Sequence, residues 1–378
     1  MPFADELVGR GTIEALASCL HAADPGRRWD GVAASAAALS PLALGARVRL
    51  AADALVADCG EGFAAVAAVV RAALPDPSFT GWMIWPVTEA VATAAVVEAA
   101  ADDGPAFDDG LALLAELTPR LTAEFALRTF LNADLDRTLA VVEKWVAHPD
   151  EHVRRLASEG TRTRLPWARQ VPELNRRPDA TLPILEALYA DPAEYVRRSV
   201  ANHLNDLSRL DPALAVAVAD GWLARPAEST PRVVRHAMRT LVKKADPGAL
   251  ALLGFPPAPD VAVGAPQLVA GVVALGDELE FSVELVNNGA AEARLVVDYV
   301  VHYRKAAGSL APKVFKLTSR TLAPGERVVL AKRHSFRPVT TRRHYPGEHA
   351  VEVQVNGARS GRVTFDVVGI EPAGQSRL

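Results

Sequence analysis

Asp150 to Arg169 reads DEHVRRLASEGTRTRLPWAR, and the first half of this stretch recurs twice. Asp191 opens DPAEYVRRSVANHLNDLSRLDP and Thr230 opens TPRVVRHAMRTLVKKADP. In the second copy Val196, Val200, Leu204 and Leu207 recur at i, i+4, i+8 and i+11, the apolar stripe of an amphipathic helix. At 100° per residue, Arg198, Asn202, Asp206 and Arg209 lie on a flank roughly 80° to 180° from that stripe. In the first copy Val153, Leu156, Ala157 and Gly160 form the matching stripe. Arg155, Glu159 and Arg162 then share its polar flank, with Glu159 in the place of Asn202.

Val153, Val196 and Val234 fall about 40 residues apart, the helix-pair period of HEAT-type solenoids. Stacked repeats bring such flanks side by side on one concave surface facing solvent or a ligand. Amphipathic helices are predicted throughout residues 4–252, among them Leu44 to Val56, Phe63 to Leu74, Val87 to Ala100, Leu111 to Leu117 and Thr122 to Leu131. The texture changes after Leu253, where GFPPAPDVAVGAP has no helical period. Beyond it LEFSVELVNNG, RLVVDYVVHYRK, KVFKLTSRTL, ERVVLAKRHSF, HAVEVQVNG and GRVTFDVV read as strands separated by Gly, Asn and Pro turns. The predicted fold is therefore an all-α HEAT-like-repeat solenoid (residues 1–254), a Pro-rich linker (255–265) and an all-β immunoglobulin-like sandwich (266–378).

The net charge of −4 conceals an asymmetry: residues 1–119 hold 6 Lys+Arg against 16 Asp+Glu, 120–260 hold 20 against 18, and 261–378 hold 15 against 11. Basic residues thus concentrate on the repeats and in the C-terminal part, where an anionic partner would bind. Cys19 and Cys59 are the only cysteines, too few for a disulfide framework or a thiolate metal site. The nine histidines show no metal-binding spacing, so neither metal nor cofactor is expected. The acidic start MPFADELVGRG is unlike a signal peptide, and no apolar run reaches the ~18 residues of a membrane span. These readings predict a cytoplasmic protein without a membrane partner.

Four blocks together, TAEFALRTFL (122–131), LASEGTRTRLPWA (156–168), the repeat from Asp191, and VTTRRHYPGEH (339–349) in the C-terminal domain, resemble the bacterial AlkC-type 3-methyladenine DNA glycosylases of the HEAT-like-repeat DNA glycosylase superfamily. The resemblance implies hydrolysis of the N-glycosidic bond of small cationic bases, 3-methyladenine and 3-methylcytosine, without flipping the base into a pocket, unlike most base-modifying enzymes. It places Glu124, Glu159, Asp206 and Trp167 on the active-site motifs. The basic repeat flanks and this resemblance together give the expected DNA-contacting set: Arg128, Arg155, Arg162, Arg164, Arg198, Asn202, Arg235, Arg239, Lys243, Lys244, Arg342 and Arg343. The partner would be double-stranded DNA carrying alkylated bases, bound by a monomer associated with the nucleoid.

The chemistry of these residue types agrees. An N3-alkylated purine is already cationic, so its glycosidic bond breaks with a neutral base leaving and needs no general acid. Carboxylates then stabilise the oxocarbenium-like sugar and direct water to it. A charge pair at about 4 Å is worth roughly 4 kcal/mol at an effective dielectric near 20. Trp167 offers a π face worth up to about 2 kcal/mol to a desolvated cation. Each residue also has a structural reading. Glu124 lies four before Arg128 and Glu159 four after Arg155, spacings of ordinary helix-surface ion pairs, while Asp206 suits a solvated flank and Trp167 a core anchor between repeats. A non-catalytic HEAT-repeat DNA-binding or protein-adaptor module is the alternative function.

Overall fold

The computed structural model describes residues 4–60, 62–102, 104–338 and 343–369. They form two compact units. One contains the residues up to Ala215 together with Gly221–Ala237, the other Val216–Asp220 and the chain from Met238 onward.

The first unit is helical. Its central element is Ile84–Ala101, packed against helices Leu44–Cys59, Phe63–Ala73, Ala106–Leu117 and Glu124–Ala133. Being surrounded, it is apolar on nearly all faces. By length and composition Gly81–Ala101 would qualify as a membrane span, contrary to the sequence reading; here most of it is buried within the helical unit. The packing is close enough to dictate composition: a Cβ on Gly110 would lie 2.6 Å from Ala95 Cβ and 2.8 Å from Phe130 Cζ.

The repeat signature yields three helices stacked in order, Glu151–Glu159 on Glu194–Leu207 and the latter on Thr230–Ala237. The apolar stripe is realised as predicted, with Val153, Leu156, Val196, Val200, Leu204, Leu207 and Val234 all buried. The signature's first arginine has one task in both full copies. Arg154 Nη1 donates to the carbonyls of His148 and Pro149, each at 2.9 Å, and Arg197 Nη1 donates to those of Asp191 and, at 2.7 Å, Pro192. Each arginine thus satisfies the loop entering its own helix. Arg154 also forks onto Asp191, with Nε 2.7 Å from Oδ2 and Nη2 3.2 Å from Oδ1, linking one repeat to the next.

Among the described residues the second unit contains helices Arg239–Lys243 and Pro247–Leu252 and ten strands: β1 Val261–Val263, β2 Gln267–Leu268, β3 Val272–Ala274, β4 Glu278–Asn287, β5 Ala293–Arg304, β6 Leu310–Leu322, β7 Arg327–Ser335, β8 Gly347–Val355, β9 Ala358–Arg359 and β10 Val363–Val368. One sheet has the order β1-β4-β2 with β7 also on β4; the other runs β3-β10-β8-β5-β6 with β9 on β8. The six strands predicted from alternation correspond to β4, β5, β6, β7, β8 and β10. The short β1, β2 and β3 carry too few residues to show a period. β1 lies inside the stretch read as linker and pairs antiparallel with β4 through Val261↔Asn287 and Val263↔Leu285. The core between the sheets includes Leu279, Phe281, Val283 and Leu285 of β4 facing Tyr299, Val301, Val351 and Val353. Central β5 is buried from Leu295 through Tyr303, which is why its sequence is almost continuously apolar.

Candidate active site

Three segments bearing carboxylates and arginines meet in the helical unit. Glu124 is the first residue of its helix, where a carboxylate suits the exposed N–H groups and the helix dipole. Its Oε2 accepts from Thr122 Oγ1 at 2.8 Å and from Arg155 Nη1 at 2.6 Å. Glu159 ends the helix Glu151–Glu159, whose start is capped by the Asp150 carboxylate accepting from His152 N at 2.7 Å. Arg155 Nη2 lies 3.6 Å from Glu159 Oε1, and Arg162 Nη1 2.5 Å from the same oxygen. Arg162 reaches the next repeat through Nε and Nη2, both 2.8 Å from Asp206 Oδ2.

The result is an alternating ladder, Glu124–Arg155–Glu159–Arg162–Asp206, with three acids and two bases. Glu124, Glu159, Arg162 and Asp206 are buried and Arg155 is largely so. Within these five side chains one carboxylate is in excess, which favours a cation placed against them; Arg128 and Arg209 act on Arg162 and Asp206 from outside the ladder. Burial pushes the Asp206 carboxyl above its ordinary value of 3.8 against the pull of Arg162. Burial also disfavours charge on Arg162, but Glu159 and Asp206 together hold its pKa above the usual arginine value. A buried acid whose charge is costly in the resting protein is the kind of group found where charge develops during reaction.

The helices under the ladder are fixed by a second polar network. Fully buried His203 is pushed down to about 3 by its burial and by Arg162, so it is neutral. Since the Ser158 carbonyl can only accept, Nδ1 carries the proton and donates to it at 2.9 Å, leaving Nε2 to accept from Thr181 Oγ1 at 3.1 Å. Ser199 Oγ donates to Ser158 Oγ at 3.0 Å. Ser158 precedes Glu159 and His203 lies one turn before Asp206, so this network sets the two carboxylates relative to each other.

Trp167 stands apart from every core role. It is 62% exposed and has φ +64°. Ala168 N donates to Leu165 O at 3.4 Å, so Leu165–Ala168 is a tight turn with proline second and a left-handed residue third, the pattern of a type II turn in which glycine normally occupies the third place. A bulky residue there costs of order 1–3 kcal/mol. The strain is accompanied by an indole projecting into solvent, where the core-anchor reading would have buried it.

Of the expected DNA contacts, three are placed differently from the sequence reading. Arg155 and Arg162 are ladder members, each held between carboxylates, and Arg128 is fully buried with Nε and Nη1 on main-chain carbonyls and Nη2 buried without a hydrogen-bond partner among the described residues. A helical flank gives direction but not depth, and the neighbouring repeat covers this one. Arg164, Arg198 and Arg235 are exposed on the helical unit, and Asn202 Oδ1 pairs with His236 Nε2 at 3.0 Å across adjacent repeats. Between those repeats a cleft of about 110 Å³ is lined by Arg197, Arg198, Arg232, His236 and Glu194. In the other unit Lys243, Lys244 and Arg343 are exposed and Arg239 is half-buried; Arg342 lies outside the described residues. There a groove of about 610 Å³ is lined by Tyr303, Arg304, Lys305, Lys313, Arg343 and Tyr345.

Two neighbours of the site were not singled out from sequence. Tyr195 is partly exposed and lies 5.1 Å from the Arg155 guanidinium, covering one end of the ladder. Its only signal was an aromatic residue in the repeat's first turn. Glu89 is buried on the helix Ile84–Ala101, raised above its usual range by that burial, and its Oε2 is 3.5 Å from Arg169 Nη2. Its apolar surroundings masked it as one more helix residue.

Residues 121–241 match the model of a family described as DNA alkylation repair enzyme. Residues 262–369 match that of the C-terminal Ig-like domain of the uncharacterised protein YhaZ. A protein of Bacillus subtilis (strain 168) described as uncharacterized protein YhaZ is 38% identical over 261 residues, covering 69% of this chain and 72% of that protein. Among solved structures, Pseudomonas fluorescens alkylpurine DNA glycosylase AlkC bound to DNA containing an abasic site analog matches with a TM-score of 0.85 and 34% identity, over 97% of this chain and 100% of that one.

Proposed function

Because the chain belongs to the DNA alkylation repair family that includes AlkC and YhaZ, we propose that it is a DNA glycosylase that hydrolyses the N-glycosidic bond of cationic alkylated bases, 3-methyladenine and 3-methylcytosine, in double-stranded DNA. The observation that carries this reading is the buried ladder with its excess carboxylate.

Hydrolysis of an N3-alkylated nucleotide leaves a neutral base and transfers positive charge to the sugar. Glu124, Glu159 and Asp206 stabilise that charge as it develops, and one of them takes the proton from the attacking water. Arg155 and Arg162 lie between the three acids and offset the repulsion among them. Trp167 offers its exposed face to the lesion or its sugar. Because the carboxylates address the sugar and no step requires enclosing the base, the lesion is read by charge with the base left in the helix. The cleft containing Arg197, Arg198 and Arg232 suits backbone phosphates, and the cationic groove of the Ig-like domain suits a second stretch of backbone or a minor groove.

The test is release of 3-methyladenine and 3-methylcytosine from methylated duplex DNA by the purified protein under single-turnover conditions. Time-dependent appearance of free base and an alkali-labile abasic site is the expected result. DNA binding with no base release would leave only a binding protein.

A further inference from the structure

Arg128 has no role in the reaction above, yet it is one of the largest fully buried side chains. Its environment is unusual for an arginine. No carboxylate contributes to its charge balance; burial, reinforced by the nearby positive charge of Arg162, pushes it down to about 10. It therefore remains cationic at neutral pH in a place where a cation is costly. The structure that tolerates this is a set of main-chain carbonyls. Nη1 donates to Gly160 O at 3.3 Å and to Arg162 O at 2.8 Å, and Nε donates to Arg169 O, while Nη2 is buried with no hydrogen-bond partner among the described residues.

These acceptors are not scattered. Gly160 and Arg162 stand where the chain leaves the helix of Glu159, and Arg169 stands at the far end of the same loop. Between them lies the Leu165–Ala168 turn with Trp167 in its left-handed position. One planar guanidinium, with several donors in fixed directions, thus joins the two ends of the loop that presents the indole. The far end has two further ties: Asn132 Nδ2 donates to Gln170 O at 3.1 Å and to Arg128 O at 2.8 Å, and Arg169 pairs with Glu89. The near end has no room to slide, because a Cβ on Gly160 would already lie 2.5 Å from Leu127 Cδ2, on the helix that carries Arg128. Within the loop Thr161, Thr163 and Leu165 are buried, while Arg164, Pro166 and Trp167 face outward.

We infer that Arg128 is a positioning residue for Trp167: it clamps the ends of the 160–169 loop so that the turn keeps its strained backbone and the indole keeps its outward aim. The inference rests on the reading that Trp167 faces the lesion. It assigns Arg128 to the loop's geometry, in place of the phosphate contact expected from sequence.

A double-mutant cycle tests it. Arg128→Lys keeps the charge but replaces a rigid fork with a single point donor that cannot span both ends of the loop. In the wild-type background it should lower the single-turnover excision rate at saturating enzyme by about tenfold or more, with DNA affinity within about threefold. In a Trp167→Ala background the same change should cost less than about twofold, because the group it positions is gone. An equal loss in both backgrounds would overturn the inference in favour of a general structural role. So would weakened binding with the saturated rate unchanged, the signature of a phosphate ligand. If Arg128→Lys does not fold, Arg128→Gln, which is neutral and keeps two N–H donors, takes its place with the same expectations. The emission of Trp167, taken as the difference between each protein and its Trp167→Phe counterpart, gives a readout independent of catalysis. It should shift, and its quenching by acrylamide should change, on Arg128 substitution. If Trp167→Ala alone leaves excision intact, the role of Trp167 is wrong; unaltered Trp167 emission in the Arg128 variant would overturn the clamp itself.

Discussion

Glu159 and Asp206, on successive repeats, are bridged by one guanidinium: Arg162 Nη1 is 2.5 Å from Glu159 Oε1 and Nη2 is 2.8 Å from Asp206 Oδ2. The bridge holds two buried carboxylates of successive repeats against a single cation. Glu159→Gln and Asp206→Asn preserve shape and hydrogen bonding to Arg162 while removing the charge. Each should lower single-turnover base release by about 10² to 10³, the cost of losing one preorganised electrostatic group. DNA affinity should stay within about threefold, since the residues proposed to meet phosphates lie elsewhere. Excision at the wild-type rate in both variants would remove these residues from the chemistry.

The pH dependence of the same site has a definite sign. Burial raises the folded pKa of Asp206 above 3.8. A raised carboxyl contributes stability that is fully present below its unfolded pKa and is lost as pH rises through the folded value, so above that value the ionised Asp206 is held at a cost to the fold. The proposed reaction uses the ionised form. The acid limb of the excision rate should therefore lie above the ordinary aspartate range, and Asp206→Asn should abolish or displace that limb in whatever activity remains. A rate profile that stays flat down to ordinary aspartate values would contradict this.

Trp167 allows stability and activity to be separated. With φ at +64°, the position disfavours every side chain and suits glycine. Trp167→Gly should be more stable than Trp167→Ala by about 1 kcal/mol in denaturant unfolding, the reverse of the usual order in a helix. Both variants should lose most of the excision rate. Greater stability for alanine would mean that the turn does not hold this backbone in solution.

Sequence periodicity revealed the three repeat helices and six of the strands because each buries a continuous apolar face. It failed where the decisive interaction lies across elements. Arg154 and Arg155 are adjacent in VRR, yet one satisfies a loop and the other lies inside the acid ladder, a distinction made by Asp191 and Glu124 from other segments. Arg128 looked like the surface partner of Glu124, four residues away, but it points inward to the carbonyls of a loop more than thirty residues on. The turn at Pro166–Trp167 was hidden because proline announces a turn of this kind, whereas tryptophan in the glycine position does not.

The Ig-like domain supplies a separate test of DNA contact. Lys305 and Arg343 are exposed on the groove that also contains Lys313 and Tyr345. If each neutralises one phosphate, Lys305→Ala and Arg343→Ala should weaken binding by a similar factor on unrelated sequences. Each should also reduce the slope of log affinity against log salt by about 1. Affinities and slopes equal to wild type would leave this groove without a role in binding DNA.

The charge of the lesion is the most direct test of the mechanism. A ladder with an excess carboxylate favours a cationic reactant and does nothing to protonate a neutral leaving base, so uracil and hypoxanthine should remain attached under conditions where 3-methyladenine is released. Size should matter less than charge. A site that recognises a base by enclosing it rejects added bulk through steric conflict, whereas a site acting on the sugar should tolerate a longer N3 alkyl group better than the loss of the positive charge. Identical duplexes carrying 3-methyladenine, a larger N3-alkyladenine, hypoxanthine or uracil give the comparison, with free base measured in single turnover. The expected order places both cationic adducts within about tenfold of each other and the neutral bases at background. Efficient release of uracil or hypoxanthine would contradict the proposed chemistry, and discrimination between the two cationic adducts far beyond the ~10–200-fold worth of a methylene in a closed pocket would show that the lesion is enclosed after all.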